Sequence, residues 1–162
     1  MGIDGRFHAP RRLQEGDDLS AFSCGIELID DWAHTRAAAA GRNGTAVTYV
    51  STATGGTIAG LYTLSAYAVE RASAQGGWLR RNTPERIPAI LLGMLAVSRP
   101  CQGNGLGWQL LRDAIIRAQG ISHRLGVRAL IVDPYDDHAK AFYEHFGFKP
   151  IPGSGSMYLR LA

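Results

Sequence analysis

The chain has little that would suit an exported or membrane-bound protein. Its 162 residues include only two cysteines, Cys24 and Cys101, too few for a disulfide framework and typical of a reducing compartment. No apolar run approaches the roughly 20 residues that cross a bilayer, and the N-terminus lacks the charged-then-apolar pattern of a secretion signal. We therefore expect a cytoplasmic protein without a membrane segment. The length fits one domain over residues 1–162, in which residues 1–20 are irregular.

Lysine is also scarce, and arginine carries almost all of the positive charge. Lys140 and Lys149 are the only lysines among 17 basic residues, which face 14 acidic ones and give a net charge of +3. Arginine suits bidentate phosphate binding better than lysine does. Residues 71–99 hold five arginines and one acid, Glu85. This excess reflects either solubility and codon usage or a phosphate-bearing partner.

The histidines and cysteines show no pattern typical of a metal site. None of the five histidines has metal-ligand spacing with the two cysteines, so we expect no metal. Cys101 has no histidine near it in the sequence that would activate its thiol, and we expect it to be structural rather than a nucleophile.

The spacing of apolar residues predicts alternating helices and strands. In chain order, the predicted elements are a helix over 26–40, strands over 45–53 and 57–65 joined by a hairpin turn, a long connection over 66–88 with a short helix inside, a strand over 89–97 buried on both faces, a helix over about 106–118, a strand over 127–133, an amphipathic helix over 139–146 and a closing strand over 157–161. This alternation around one mixed sheet indicates an α/β or α+β fold with a β-loop-α unit at its centre.

A glycine-rich segment, Arg99-Pro-Cys-Gln-Gly-Asn-Gly-Leu-Gly-Trp108, lies between a predicted buried strand and a helix. Its glycines would let the backbone approach a ligand closely, and the start of a helix presents unpaired N–H groups to an anion such as a pyrophosphate. The segment lacks the Gly-Lys-Ser/Thr ending of an NTP-binding loop, and its place in the chain does not fit a dinucleotide fold. From these residues alone, an anion cradle and a plain tight turn both stay open.

Two motifs resemble the GNAT superfamily of N-acetyltransferases. Gln102-x-x-Gly105-x-Gly107 is similar to the acetyl-CoA loop of that superfamily, and Leu95-Ala96-Val97 resembles the splayed strand before that loop. The segment over 139–148 is similar to the superfamily's helix with a Gly-Phe ending. The resemblance covers about residues 20–162. It implies a GNAT fold: a central, mixed, mostly antiparallel sheet with splayed parallel strands and flanking helices.

The same resemblance implies roles for individual residues, with acetyl-CoA as co-substrate. Tyr143 would be the general acid that returns a proton to the CoA thiolate, although its place in an apolar stripe also suits core packing. The main chain of Leu95 and Val97 would run along the pantetheine, and the N–H groups of residues 102–107 would hold the pyrophosphate. Asp136 stands where many members have an asparagine that contacts the cofactor. The residues implied in cofactor binding are Leu95, Ala96, Val97, Gln102, Gly103, Asn104, Gly105, Leu106, Gly107, Trp108 and Asp136.

Four segments narrow the resemblance to the GNAT toxins of bacterial type II toxin–antitoxin systems. They are Phe22–Trp32, Gly60–Ser65, Leu79–Pro88 and Leu95–Val97. This resemblance implies acetylation of the α-amino group of aminoacyl-tRNA, a block of translation, a homodimer and a small ribbon-helix-helix antitoxin as partner. Phosphates of the acceptor stem would be bound by Arg71, Arg80, Arg81 and Arg86. Trp78 would stack on a base or anchor its own loop.

Other functions stay open at this point. The acceptor could be a small amine or a protein N-terminus, or the chain could be a non-catalytic scaffold or a co-repressor that acts with an antitoxin. The sequence offers no compelling general base, since Asp133, His138 and Glu144 all suit a solvated surface. An esterified α-amine would need none, because its pKa lies below the ~7.7–8.0 of a free α-amino group.

Overall fold

The computed structural model of the chain describes residues 6–74 and 77–161. The strands are β1 (Arg11–Arg12), β2 (Val47–Thr52), β3 (Ile58–Glu70), β4 (Arg86–Val97), β5 (Ala129–Val132), β6 (Lys149–Pro150) and β7 (Met157–Arg160). The helices are α1 (Glu27–Thr35), α2 (Ala37–Asn43), α3 (Gly77–Arg80), α4 (Leu106–Ser122) and α5 (Asp137–His145), with 3₁₀ turns over Arg71–Ser73 and Arg99–Cys101. Within the described part of the chain, no helix is long and apolar enough to cross a membrane.

All seven strands belong to one sheet, in the order β1-β2-β3-β4-β5-β7-β6. The β4–β5 pair is parallel, with a register that runs from Ala89↔Ala129 to Leu92↔Val132. The β1–β2, β2–β3, β5–β7 and β6–β7 pairs are antiparallel. This mixed, mostly antiparallel sheet with its flanking helices confirms the predicted fold class.

Contacts between residues group the chain into two compact units, and β3, β4 and α4 each contribute to both. The first unit comprises Met1–Ser65 and Met94–Ala114, and the second comprises Ala66–Gly93 and Ile115–Ala162. The core of the first unit includes Leu19, Phe22, Ile29, Ala33, Ala37, Val50, Leu61 and Ala96. The core of the second includes Val69, Ala74, Leu79, Ile87, Ala89, Ala129, Ile131 and Ile151. The single domain over residues 1–162 stays a prediction.

In the first unit, the predicted hairpin is confirmed and the predicted helix is partly wrong. β2 and β3 pair from Val47↔Leu64 to Thr52↔Ile58. The helix expected over residues 26–40 is instead two helices, α1 and α2, which are separated at Arg36 with φ −126° and ψ −20°. The apolar spacing continues across this break, because Ala33 and Ala37 both face the core, so periodicity does not reveal it.

In the second unit, the strands around the predicted long connection extend further than expected. β3 continues to Glu70 and β4 begins at Arg86, while the short helix expected between them is α3. The strand over residues 89–97 was predicted to be buried on both faces, and this is wrong for residues 93–97. Gly93 is exposed and Leu95 is half-buried, whereas Leu92 is buried. β5 ends at Val132, the partner of Leu92, so β4 runs on beyond its parallel neighbour.

The remaining strands and helices lie close to their predicted bounds. α4 continues four residues past the predicted end, and α5 begins two residues earlier than expected. The two-residue strands β1 and β6 were not predicted, because so short a segment shows no periodicity. β1 lies within the segment that was expected to be irregular, of which residues 1–5 lie outside the described part of the chain.

Candidate functional site

The glycine-rich segment forms a loop that leads directly into α4. Gly103 and Gly105 have φ angles of +82° and +78°, a conformation that L side chains rarely adopt. A Cβ atom built on either residue would meet nothing within 4 Å. Glycine is therefore required by the backbone conformation rather than by crowding, and the space beside the main chain is open to a ligand.

The start of α4 suits an anion. The first N–H groups of a helix have no intrahelical partners, and the helix dipole places partial positive charge there. The N–H of Gln109 donates to Gly105 O at 3.2 Å, so helical bonding begins at the last loop glycine. Leu106 and Leu110 are buried and fix the first turns of α4 in the core.

Gly60 on β3 allows α4 to pack this closely. A Cβ atom at Gly60 would lie 2.8 Å from Leu110 Cδ1, 3.1 Å from Leu106 Cδ2 and 3.2 Å from Ala96 O. Any larger residue would push the first turns of the helix outward, and the loop with them. Gly60 was not among the predicted site residues, although an isolated glycine within a strand pattern signals a close approach.

Gln102 joins three parts of the first unit. Its Nε2 donates to Val97 O and to Cys24 O, both at 2.9 Å. Its own N–H donates to Arg99 O at 3.3 Å. The side chain of Gln102 therefore fixes the loop to the end of β4 and to the segment before α1. The predicted contact between the Gln102 N–H and a pyrophosphate stays a prediction, and the side chain has the additional role of positioning the loop.

Asp30, which sequence reasoning did not single out, orders the segment that receives Gln102. The Cys24 N–H donates to Asp30 Oδ1 at 2.8 Å, and the Gly25 N–H and Ser23 hydroxyl each approach Oδ2 at 3.4 Å. Burial alone would raise the pKa of Asp30, but these hydrogen bonds lower it overall. The carboxylate therefore stays ionised and holds the carbonyl of Cys24 in place for Gln102.

An arginine from the N-terminal segment also contacts the loop. Arg6 Nη1 donates to Asn104 Oδ1 at 2.9 Å, while Asn104 Nδ2 donates to Cys101 O at 3.1 Å. Arg6 thus adds positive charge beside Asn104. No local sequence pattern signals this contact, because Arg6 lies 98 residues from Asn104 along the chain.

The last residues of β4 direct part of their main chain away from β3. The Met94 N–H donates to Thr63 Oγ1 at 3.0 Å, and the Ser98 N–H donates to Ala59 O at 2.8 Å. Successive residues of a strand point their N–H groups to opposite sides. Leu95 and Val97 therefore point theirs away from β3, which is the arrangement that binding along a pantetheine would require.

Tyr143 lies on α5 and is 8% exposed. Its ring packs edge-to-face against Phe142 and Phe148, at centroid distances of 5.4 and 5.3 Å. Tyr143 Oη has no hydrogen-bond partner among the described residues. Thr48 Oγ1 is the one side-chain oxygen among them that is both fully buried and without a partner, so Oη keeps some contact with solvent. Burial raises the pKa of Tyr143 to about 12. The ring therefore packs in the core while its hydroxyl stays protonated and available.

Asp136 has a structural role that accounts for its position. It precedes α5, and its Oδ1 accepts a hydrogen bond from the Ala139 N–H at 2.8 Å. This is an N-cap, which typically stabilises a helix by about 1 kcal/mol. A contact between Asp136 and the cofactor stays a prediction.

The predicted site residues divide between the two units. The first contains Leu95, Ala96, Val97, Gln102, Gly103, Asn104, Gly105, Leu106, Gly107 and Trp108, of which Trp108 is 38% exposed on the first turn of α4. The second contains Asp136, Tyr143 and the four arginines expected to bind tRNA.

Those four arginines do not share one environment. Arg86 Nε lies 3.6 Å from Glu70 Oε1, and the Arg71 N–H donates to Glu85 O at 2.7 Å. Arg80 and Arg81 are exposed at the end of α3, and neither forms an ion pair within the described ranges. Trp78 in α3 stacks on Tyr158 at a centroid distance of 6.1 Å, so the structure shows it anchoring its loop.

Metal-binding side chains are not gathered anywhere in residues 6–74 and 77–161, where no group of three or more His, Cys, Asp or Glu residues could hold an ion. Cys24 and Cys101 are free thiols.

The chain belongs to the GNAT acetyltransferase family, because the acetyltransferase (GNAT) domain matches residues 56–150, more than half of its length.

The tRNA-acetylating toxin of Mycobacterium tuberculosis is 42% identical over 146 residues, which cover 90% of this chain and 87% of that protein. AtaT complexed with acetyl-methionyl-tRNAfMet is 27% identical, with a TM-score of 0.84 and 93% of each chain covered. A tyrosine-to-phenylalanine mutant of AtaT, bound to acetyl-CoA and the C-terminus of the antitoxin AtaR, is 27% identical with a TM-score of 0.79, covering 94% of this chain and 92% of that one.

Proposed function

We propose that this chain is a toxin that transfers an acetyl group from acetyl-CoA to the α-amino group of aminoacyl-tRNA and so blocks translation. The observation that carries the proposal is the 42% identity, over 90% of the chain, to a tRNA-acetylating toxin. Blocking follows from the chemistry, because an acetylated α-amine cannot attack a peptidyl ester.

The loop over residues 102–107 binds the pyrophosphate of acetyl-CoA in this proposal. Support comes from the positive φ angles of Gly103 and Gly105, the open space beside both residues and the start of α4 directly after them. The main chain of Leu95 and Val97 runs along the pantetheine, like an added strand. Leu95 and Val97 are apolar and only half-buried, so contact with the pantetheine would remove apolar surface from water.

The chemical step joins the acceptor nitrogen to the thioester carbonyl carbon and breaks the bond from that carbon to sulfur. A fraction of the α-amine is neutral near pH 7, because its pKa lies below about 8, and so no strong general base is needed. A main-chain N–H near Val97 stabilises the developing oxyanion.

Tyr143 acts on the leaving sulfur in this scheme. Its pKa of about 12 lies well above the ~8.5 typical of a thiol, so it keeps its proton throughout the neutral range. It donates a hydrogen bond to the thiolate in every turnover. The amine proton passes to solvent after nitrogen attack, and the thiolate takes up one proton from solvent, so that CoA leaves as the thiol. The resemblance implied that Tyr143 returns a proton to the thiolate, whereas its raised pKa favours stabilisation of the thiolate by a hydrogen bond.

The partners follow from the same proposal. AtaT has been solved with the C-terminus of its antitoxin, and we expect a small antitoxin of the ribbon-helix-helix type to neutralise this chain. Charged tRNA is found in the cytoplasm, which is where the activity belongs. The homodimer is a further prediction from the resemblance to the toxins.

The test is transfer from labelled acetyl-CoA to bulk charged tRNA by the purified protein, with deacylated tRNA as the matched control. The proposal predicts label on charged tRNA alone, and release of that label together with the amino acid when the ester is hydrolysed. Transfer to polyamines or to peptide N-termini, without transfer to charged tRNA, would show that the protein is an N-acetyltransferase but that aminoacyl-tRNA is not its acceptor.

A further inference from the structure

Arg128, which lies just before β5, holds the C-terminal end of α3. Its Nη2 donates to Trp78 O at 2.6 Å and to Arg81 O at 3.1 Å, and its Nε donates to Leu79 O at 3.2 Å. The main chain of Arg128 is itself fixed, because its N–H donates to Pro88 O at 2.9 Å and its carbonyl accepts from the Leu161 N–H at 3.2 Å. One guanidinium therefore bonds to two carbonyls of α3 and to the carbonyl of Arg81, the residue directly after the helix.

α3 depends on such support because it is only four residues long. A helix of this length is not stable by its own propensity, and its last carbonyls have no intrahelical partners. The guanidinium of Arg128 supplies donors to those carbonyls and positive charge at the negative end of the helix dipole. Leu79, which is 3% exposed, anchors the same segment in the core.

Two guanidinium groups lie over the indole ring of α3. Arg128 Cζ is 4.1 Å and Arg160 Cζ is 4.4 Å from the Trp78 ring centroid. Arg80 and Arg81 follow Trp78 within three residues. These four arginines and Trp78 are called the Trp78 arginine cluster from here on. Within the described part of the chain, none of the four arginines forms an ion pair with a carboxylate.

We propose that the Trp78 arginine cluster is the surface that binds the tRNA phosphates, with Arg128 as the positioning residue that holds Arg80 and Arg81 in place and Arg160 as a further phosphate contact. The inference rests on the proposed function. Arg128 and Arg160 lie over the same ring without carboxylate partners and repel one another, and a polyanion that also contacts Arg80 and Arg81 removes that cost. Arg86 differs, because Glu70 already lies beside it.

The experiment measures binding of bulk deacylated tRNA over a series of salt concentrations, with acetyl-CoA affinity and thermal unfolding as controls for each variant. Arg160→Gln removes an exposed charge and no main-chain hydrogen bond. One lost phosphate contact reduces the slope of log K against log salt by about 0.7–0.9 and weakens binding roughly five- to eightfold at ~0.1 M salt. Arg42→Gln, an exposed arginine of α2 in the first unit, is the matched control, and its tRNA affinity should equal that of the wild type.

Arg128→Lys and Arg128→Gln distinguish the hydrogen bonds by which Arg128 holds the end of α3 from the positive charge that it carries. A lysine keeps the charge but cannot make the forked bonds to three carbonyls. Both variants are expected to raise the KM for charged tRNA at unchanged kcat and unchanged acetyl-CoA affinity. Wild-type behaviour of Arg128→Lys would overturn the positioning role, and equal salt slopes for Arg160→Gln and Arg42→Gln would overturn the surface. Failure of the wild type to bind tRNA at all would instead contradict the proposed function.

Discussion

The loop before α4 and the Trp78 arginine cluster both suit anions, but they use different chemistry. The loop offers neutral main-chain N–H groups, and the positive φ angles of Gly103 and Gly105 set their directions. The cluster offers guanidinium charge, held in place by hydrogen bonds from Arg128. A geometric cradle recognises one compact phosphate group, whereas separated charges suit an extended polyanion. The two regions therefore match the two substrates of the proposed reaction.

The largest effect should come from a change that leaves both anion-binding regions intact. Tyr143→Phe removes one hydroxyl from a buried ring that packs against Phe142 and Phe148. Loss of a hydrogen-bond donor to the leaving thiolate should lower kcat about 100- to 1,000-fold, the effect typical of removing one preorganised donor to a developing anion. Single-turnover transfer to charged tRNA measures it. Affinities for acetyl-CoA and tRNA should not change, and full turnover by this variant would remove Tyr143 from the mechanism.

The next largest effect concerns the geometry of the loop. Gly105→Ala allows the free loop to relax to a negative φ, and binding then has to restore a conformation that costs about 1–2 kcal/mol in an L residue. We expect acetyl-CoA to bind roughly 5- to 30-fold more weakly, measured by calorimetry. Gly44→Ala is the control, because Gly44 has a similar φ of +72° at the end of α2. It should lose stability without losing cofactor affinity. Equal losses of affinity in both variants would contradict a specific role for the loop.

A smaller effect is expected at the residue that fixes the loop. Gln102→Ala removes two side-chain hydrogen bonds, each worth about 1 kcal/mol net of exchange with water and less at this exposed position. The KM for acetyl-CoA should rise a few-fold, with little change in tRNA affinity. Gln102→Glu should be worse than alanine, since a carboxylate placed between the carbonyls of Val97 and Cys24 repels both. Alanine and glutamate variants with wild-type KM values would show that the loop keeps its position without Gln102.

The smallest effect at working pH concerns the titration of Tyr143. Its pKa is raised from 10.0 to about 12 in the folded protein, so the unfolded chain loses this proton first. Below pH 10 Tyr143 is protonated in both states and does not change the free energy of unfolding with pH. Between pH 10 and pH 12 the free energy of unfolding falls by about 1.4 kcal/mol per pH unit, because the unfolded chain binds fewer protons. Denaturant unfolding at pH 9 and pH 11 should show a steeper decline in the wild type than in Tyr143→Phe, which keeps only the contribution of the Cys24 thiol, whose pKa burial also raises. Identical pH dependence of the two proteins would mean that burial does not raise the pKa of Tyr143.

Much of the fold could be predicted because local patterns encode it. The β2–β3 hairpin, α3, α4 and α5 all follow from apolar spacing and from glycine or proline signals. The break at Arg36 could not be predicted, since α1 and α2 bury the same face across it. The half-exposed end of β4 was also missed. An apolar run shows that a strand is suited to burial but not whether other strands cover it.

The site was predictable where a motif is contiguous and not where contacts join distant segments. Gly103 and Gly105 were expected to shape the loop, and the structure gives both positive φ angles. The supporting contacts were missed, because Asp30 and Gln102 meet through residue 24 and Arg128 meets α3 across about 50 residues of chain. The excess of arginines over residues 71–99 predicted the same phosphate-binding role for Arg80 and Arg86. The structure distinguishes them, because Arg86 lies beside the carboxylate of Glu70.

In the proposed reaction, the loop before α4 binds acetyl-CoA by geometry and the Trp78 arginine cluster binds tRNA by charge. The most direct test is to measure both dissociation constants on one wild-type sample between ~50 and ~300 mM salt. We expect tRNA affinity to fall steeply with salt, with a slope of several units in log–log form, and acetyl-CoA affinity to depend on salt much less. Equal slopes, or tRNA binding that does not respond to salt, would contradict this expectation.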